Sequence, residues 1–193
     1  MRTLLLYSHP VESSYGASLC EQTRLGLEQA GHQVDCCDLY AEGFTPVLTR
    51  HERLIYHDVP INRENVESYV QRLKNAEALV LVTPIWHFGF PAMLKGFFDR
   101  VFLPGVSFEL QDERMRYILT HIKKLAAVTT YGADRSKAFL VGDPPRKVVT
   151  RVIRAQIHPM AKTVYLAHYG MNRSTDATRL KFLSKVRTQM EKF

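Results

Sequence analysis

Three short segments of this chain gather side chains that could do chemistry. The first, Ser8 to Ser18 (SHPVESSYGAS), strings His9, Ser14, Tyr15, Gly16, Ala17 and Ser18 between an apolar run and a helical one. Hydroxyls, a glycine and a helix start, with free N–H groups and the positive end of the dipole, suit a phosphate, and His9 could donate to it as well. The same residues also read as N-cap serines beside a histidine satisfied within its own loop. Neither GxGxxG nor a Walker lysine is present, so the two commonest nucleotide fingerprints are missing. The second segment, Thr83 to Pro91 (TPIWHFGFP), sets Pro84, Ile85, Trp86, His87 and Phe88 just past an apolar run, and Trp86 is the chain's one tryptophan. Flat apolar groups with backbone amides nearby suit a planar heteroaromatic ring, or else packing against another subunit. His87 is a candidate catalytic base, or a loop histidine with local partners. The third, Thr129 to Asp134 (TTYGAD), offers the hydroxyls of Thr129 and Thr130, exposed N–H groups, and Gly132, where the backbone can approach a ring closely.

These segments need elements that bring them together, and the hydrophobic pattern supplies them. Thr3–Ser8 is an apolar strand; Ala17–Ala30 is a helix with Cys20, Thr23, Leu27 and Ala30 on one face, ending at Gly31. His32–Cys37 is a second strand, and Arg63–Ala76 a weaker helix with Val66, Tyr69, Val70 and Leu73 at helical spacing. Ala78–Thr83 (ALVLVT) is continuously apolar, as strands buried on both faces are. A helix from Pro91 to Val101, a strand Leu125–Tyr131, a helical stretch near Arg146–Gln156, a strand Thr163–His168 and a closing helix Asp176–Lys192 complete the alternation. Five strands separated by helices predict an α/β doubly wound fold, a parallel sheet with helices on both faces. Five units in 193 residues favour the flavodoxin-like three-layer sandwich, strand order 2-1-3-4-5, over a six-stranded dinucleotide fold. In either order the ligand lies beyond the carboxyl ends of the strands, where the three segments fall.

Length and composition agree with one domain over residues 1–193 that buries a full core without disulfides. The opening MRTLLLYSHP is too short in apolar residues for a secretory signal or a membrane span, so a cytoplasmic protein is expected. Cys20, Cys36 and Cys37 form no CxxC pair or Cys/His ligand pattern, so no metal is expected and they read as small buried hydrophobes. The formal net charge of +7 is uneven: residues 1–100 hold 9 Lys+Arg against 12 Asp+Glu, and residues 101–193 hold 17 against 7. A basic half suits anionic partners or solvated helix faces, and phosphorylated cofactors are a further use of such a field. No motif supports nucleic-acid binding.

Taken together the residues resemble the flavodoxin-like NAD(P)H:quinone oxidoreductase family, including small bacterial-type members that serve as quinone reductases or as ancillary subunits of potassium-efflux systems. The matches are His9-Pro10 followed by Ser14-Tyr15, then Asp38-Leu39-Tyr40, then Pro84 to Phe102 (PIWHFGFPAMLKGFFDRVF), then Thr129-Thr130. The likeness covers roughly residues 2–132, and its PAxLKGxxDRVF stretch is highly specific. It implies a bound flavin, with His9 and Ser14–Ser18 at its phosphate, Pro84–Phe88 along the ring and ribityl chain, and Thr129–Gly132 over the reactive edge. Lys95, Asp99 and Arg100 are implied to be structural. FMN is expected ahead of FAD, the alternative, because the long C-terminal extension of the larger members is not matched here; NADPH or NADH is the implied donor. Two departures bear on catalysis. Larger members carry two glycines after the threonines, then a tyrosine and a histidine that assist hydride transfer. Here Tyr131 replaces the first glycine, and Ala133–Gly142 holds no histidine, so Tyr131 and His87 are the local candidates for proton transfer.

The resemblance implies an enzyme that reduces a quinone-like, flat acceptor by ping-pong hydride transfer, working as a homodimer. An alternative implied by the same family is a flavin-binding regulatory subunit with low turnover, docked on a membrane transporter.

Overall fold

The computed structural model of the protein describes residues 1–112 and 114–193. Its frame is a parallel sheet of β1 (Arg2–Tyr7), β2 (Gln33–Asp38), β3 (Ala78–Ile85), β6 (Lys124–Tyr131) and β7 (Lys162–His168), in the spatial order β2-β1-β3-β6-β7. With the parallel strands counted alone this is the expected order 2-1-3-4-5. β3, central in that order, is buried along its whole length, which is why it reads as an uninterrupted apolar run rather than an alternation.

Side chains alternate between two cores. On one face Leu4, Leu6, Leu79 and Leu81 meet Val70 and Leu73 of α3 (Glu67–Asn75) and Leu94 and Phe97 of α4 (Ala92–Val101). On the other, Leu5, Val80 and Val82 meet Leu19 and Leu27 of α1 (Tyr15–Gln29) and Val186 and Met190 of α8 (Asp176–Met190). Among the described residues no helix is long and apolar enough to cross a membrane.

The register of this sheet positions the site. β1 and β3 pair through Tyr7↔Val82, and the Ser8 N–H donates to the Val82 carbonyl at 3.1 Å. β3 and β6 pair through Pro84↔Thr130 and Ile85↔Tyr131. The three loops read from the sequence therefore leave the sheet at one level, side by side, at its carboxyl edge.

Some elements differ from expectation. An antiparallel hairpin, β4 (Phe108–Gln111) with β5 (Arg114–Tyr117), interrupts the chain between α4 and β6. Its strands are four residues each and mostly exposed, so they leave no period-two signal. The helix expected from Arg63 begins later: Ile61–Arg63 is a 3₁₀ turn and α3 starts at Glu67. A short α2 (Arg50–Leu54) is held by a capping box of Thr49 and Glu52. The stretch near Arg146–Gln156 is composite: α6 (Pro144–Lys147), a π segment Val148–Ile153, then α7 (Arg154–Gln156). A further short helix, α5 (Arg135–Leu140), follows β6.

Candidate functional site

Loop one ends in the cap of α1. Ser14 accepts the Ala17 N–H through Oγ at 3.1 Å, and Ser18 N–H is turned back to the Ser14 carbonyl. This occupies one Ser14 Oγ lone pair, leaves its hydroxyl hydrogen able to donate into the cleft, and places Ala17 and Ser18 inside the helix. The N–H groups of Tyr15 and Gly16 have no protein partner among the described residues. That pair, at the positive end of a 15-residue helix, is the part of the loop free to hold a phosphate. His9 lies against it: the ring carbons sit 3.6 Å from where a Gly16 Cβ would be. The shorter of its two ring contacts is Val11 N–H donating to Nδ1 at 3.1 Å, which leaves Nε2 as the N–H of the neutral ring, free to donate. Tyr15 turns its side chain to the closing helix, donating to the Arg179 carbonyl at 3.1 Å; burial pushes its pKa up to about 12.

Loop two is a tight reverse turn. Trp86 N–H donates to the Gly89 carbonyl at 3.0 Å and Gly89 N–H returns to the Trp86 carbonyl at 2.9 Å. The two central residues have left-handed backbones, His87 at φ 49° and Phe88 at φ 54°. That is the geometry of a type I′ turn, which glycine or asparagine normally occupies. A histidine and a phenylalanine there each cost on the order of 1–2 kcal/mol. The strained turn projects Trp86, 45% exposed, and His87 over the sheet edge. Phe88 leans back on Ile85, Tyr131 and Ala138.

Loop three divides by strand alternation. Thr130 faces the cleft. Thr129 is fully buried and donates its hydroxyl to the Leu166 carbonyl at 3.3 Å, so the structure gives Thr129 a sheet role rather than a ligand hydroxyl. Tyr131 is 1% exposed. Its hydroxyl lies 2.7 Å from Asp143 Oδ1, to which it donates, and 2.5 Å from the Tyr165 hydroxyl. Burial first, then Tyr165 and Asp143, push its pKa well above the ordinary tyrosine value. That leaves His87, exposed and without a hydrogen-bond partner among the described residues, as the candidate with access to a substrate.

The structure gathers most of the expected residues. His9, Ser14, Tyr15, Gly16, Pro84, Ile85, Trp86, His87, Thr130 and Gly132 line one cleft of about 410 Å³. A second, of about 490 Å³, continues from it across Ile85, His87 and Gly132 to Phe88, Tyr131 and Lys137. Ala17, Ser18 and Thr129 line neither. Three lining residues lie outside the segments read from the sequence: Lys137 in α5, and Met171 and Asn172 in a 3₁₀ turn (Met171–Arg173) beyond β7. Asn172 borders both clefts, and a Cβ on Gly132 would come within 3.5 Å of its amide. Gly170 N–H, bonded to the Ala133 carbonyl at 2.9 Å, and an Arg173–Asp134 ion pair tie this fourth loop to the third. Its signal was positional, a Gly-Met-Asn turn at the carboxyl end of the last parallel strand.

The arrangement fits a flavin's donor and stacking needs: unpartnered N–H groups for the phosphate, an exposed indole for the ring, and an opening over the Thr130–Gly132 backbone. A family model described as flavodoxin-like fold matches residues 1–171. A Haemophilus influenzae protein named an uncharacterized NAD(P)H oxidoreductase is 28% identical over 146 residues, 70% of this chain and 72% of that one. NAD(P)H dehydrogenase [quinone] 1 of Cavia porcellus is 25% identical over 150 residues, 69% of this chain but 54% of that longer protein, so the match spans about half of it. The solved structure of Smu.1420 from Streptococcus mutans superposes over 100% of both chains, with a TM-score of 0.86 and 27% identity.

Proposed function

The chain belongs to the flavodoxin-like fold family, and from that premise we propose that it is a flavin-dependent NAD(P)H oxidoreductase that reduces quinone-like acceptors. The observation that carries this reading is the convergence, in one cleft, of the Tyr15 and Gly16 N–H groups, the Trp86–Gly89 turn and the Thr130–Gly132 strand end. The names of the Haemophilus influenzae and Cavia porcellus relatives agree with it.

FMN is the proposed resident, with FAD as the alternative; when bound, the flavin accepts hydride from NADPH or NADH and passes it to the acceptor. The chain's own residues hold and orient. Tyr15 and Gly16 N–H, His9 Nε2–H and the α1 dipole bind the phosphate. Trp86 covers one part of the ring, and the open side over His87, Gly132 and Asn172 admits a flat partner. His87 exchanges protons with that partner, because it lines the opening while the Tyr131 hydroxyl is held by Asp143 and Tyr165. Donor and acceptor share one opening, which makes the cycle ping-pong, and double-reciprocal plots are expected to run parallel.

The homodimer belongs to the same reading. Phe98, Phe102, Phe108, Met115 and Tyr117 line an apolar cleft of about 400 Å³ between α4 and the hairpin, a surface that a second copy would cover. Sedimentation giving a monomer at micromolar concentration would remove that part.

The deciding experiment records the absorption spectrum of the purified protein with added FMN, then adds NADPH without oxygen. Bands of bound oxidised flavin that bleach within the mixing time support the reductase. Bound flavin that bleaches slowly favours the transporter-subunit alternative, and no flavin binding overturns both.

A further inference from the structure

A third cleft on the same edge is strongly cationic. About 430 Å³ in volume, it lies between α5 and the α6–π segment and is lined by Arg135, Arg146, Lys147 and Arg151, with Thr150 and Phe139. None of the four cations is ion-paired among the described residues, although many of the chain's other arginines are paired. The one carboxylate in the lining is Asp143. Its Oδ1 accepts from the Tyr131 hydroxyl at 2.7 Å and its Oδ2 from the Tyr169 hydroxyl at 3.0 Å. Four unpaired cations against one carboxylate leave the cleft with a surplus of positive charge. Unpaired cations converging on a concavity repel one another and gain most from an anion that all can contact.

The cleft is also next to the candidate active site. Its wall is Tyr169, whose ring centroid lies 4.6 Å from that of Tyr131, and Tyr131 borders the opening over His87 and Gly132. α5 stands between the two spaces, with Lys137 on the His87 side and Arg135 on the cationic side. The flavin phosphate cradle lies elsewhere, beyond β1, so this second anion site lies beyond β6 and β7 and serves a different phosphate. Phe139, 82% exposed at the rim, adds a flat apolar face on which a base can stack. Guanidinium groups fork onto phosphate oxygens in pairs of hydrogen bonds, a geometry suited to a dianionic monoester.

We propose that this cleft binds the 2′-phosphate of NADPH, with the adenine against Phe139, and so selects NADPH over NADH. The proposal rests on the reductase reading for its substrate and on the cleft alone for its ligand chemistry. The nicotinamide end lies in the opening over His87, and the dinucleotide crosses α5 to place its 2′-phosphate among Arg146, Lys147 and Arg151.

The test titrates adenosine 2′,5′-bisphosphate and 5′-AMP calorimetrically into the protein as purified, and into Arg146→Gln, Lys147→Gln and Arg146→Gln/Arg151→Gln variants whose folding is checked by circular dichroism. The kcat/KM ratio of NADPH to NADH is measured on the same samples. The bisphosphate should bind the parent protein at least about tenfold more tightly than 5′-AMP, a margin ordinary for one charge-assisted contact. Most of that margin, and of the NADPH preference, should vanish in the double variant. Equal binding of the two nucleotides, a margin that survives in the double variant, or equally effective competition by inorganic phosphate overturns the proposal. If the protein oxidises neither NADPH nor NADH while the bisphosphate margin behaves as stated, the phosphate site stands and only the reductase reading falls.

Discussion

Gly96 of α4 lies so close to Pro46 that a Cβ on it would come within 2.2 Å of the Pro46 carbonyl oxygen and 2.5 Å of its Cα. Both are backbone atoms with little freedom to retreat. A glycine inside a helix ordinarily costs about 0.5–1 kcal/mol relative to alanine, so Gly96→Ala would stabilise an isolated α4. Overpacking against Pro46 costs about 1–3 kcal/mol or more, and it wins. The variant is expected to lose about 1–2 kcal/mol in urea unfolding, and an unchanged midpoint would sink this account of the LKG segment.

Four residues along the same helix, Arg100 reaches back to Glu52 with both side chains under a tenth exposed. Its Nε donates to Glu52 Oε1 at 3.0 Å and its Nη1 to the Thr45 carbonyl. Glu52→Gln strands a buried guanidinium and is expected to cost about 3–5 kcal/mol. Burial raises the Glu52 pKa, but hydrogen bonds from Arg100 and Thr49 more than offset it, so the folded value lies below the ordinary one. The stability this contributes is present above the unfolded pKa and is lost as pH falls through the folded one. The gap between parent and variant midpoints should therefore narrow on acidification below the usual glutamate range. A gap that stays constant from pH 7 to pH 3 would contradict it.

These two contacts show where the sequence was readable and where it was not. Strand order, the layers and the meeting of three loops followed from the count of alternating units and from apolar runs such as Ala78–Thr83, because burial on both faces leaves a strong signal. The structural role implied for Arg100 agrees with its buried Glu52 pair, whereas Lys95 and Asp99 pair at the exposed surface of the helix. The hairpin, the π segment and the left-handed backbones of His87 and Phe88 were hidden, since short exposed strands have no period and strain leaves no mark in residue types. Thr129 and Tyr131 had suitable chemistry at suitable positions. Only the registered sheet shows that one donates to Leu166 and the other to Asp143.

Tyr131→Phe tests that last distinction. The substitution deletes the hydroxyl that Asp143 and Tyr165 share and leaves the ring against Tyr169. The expected cost is about 1–3 kcal/mol of stability, from an acceptor left short of a partner. Flavin reduction by NADPH should change less than about threefold, well short of what a general acid contributes. A hundredfold slower reduction with unchanged stability would return the proton-transfer role to Tyr131.

Trp86 offers a direct optical probe, because it is the only indole in the chain and lines the cleft. Titrating FMN should quench its emission in proportion to occupancy. Trp86→Ala should weaken FMN binding by about tenfold, in line with the 1–3 kcal/mol seen for stacking on an aromatic side chain. Full emission at saturating FMN, judged by flavin absorbance in the protein fraction after gel filtration, would place the ring elsewhere.

His87 combines both kinds of cost, since the residue that faces the opening also holds a left-handed backbone. Its side chain is exposed, so truncation forfeits little packing. His87→Gly removes a strain of order 1–2 kcal/mol, while the added freedom of the unfolded chain returns about 0.4–1 kcal/mol. The net is a gain of up to about 1.6 kcal/mol. His87→Asn keeps a residue that tolerates the left-handed region but cannot exchange a proton near neutral pH. Both variants should slow acceptor reduction by about a hundredfold, the low end for a lost general acid. If the asparagine variant turns over at the parent rate while the glycine variant does not, the turn's shape matters and the imidazole does not. If both are slow and the glycine variant is the more stable, the strain is maintained by the function of the side chain it displays.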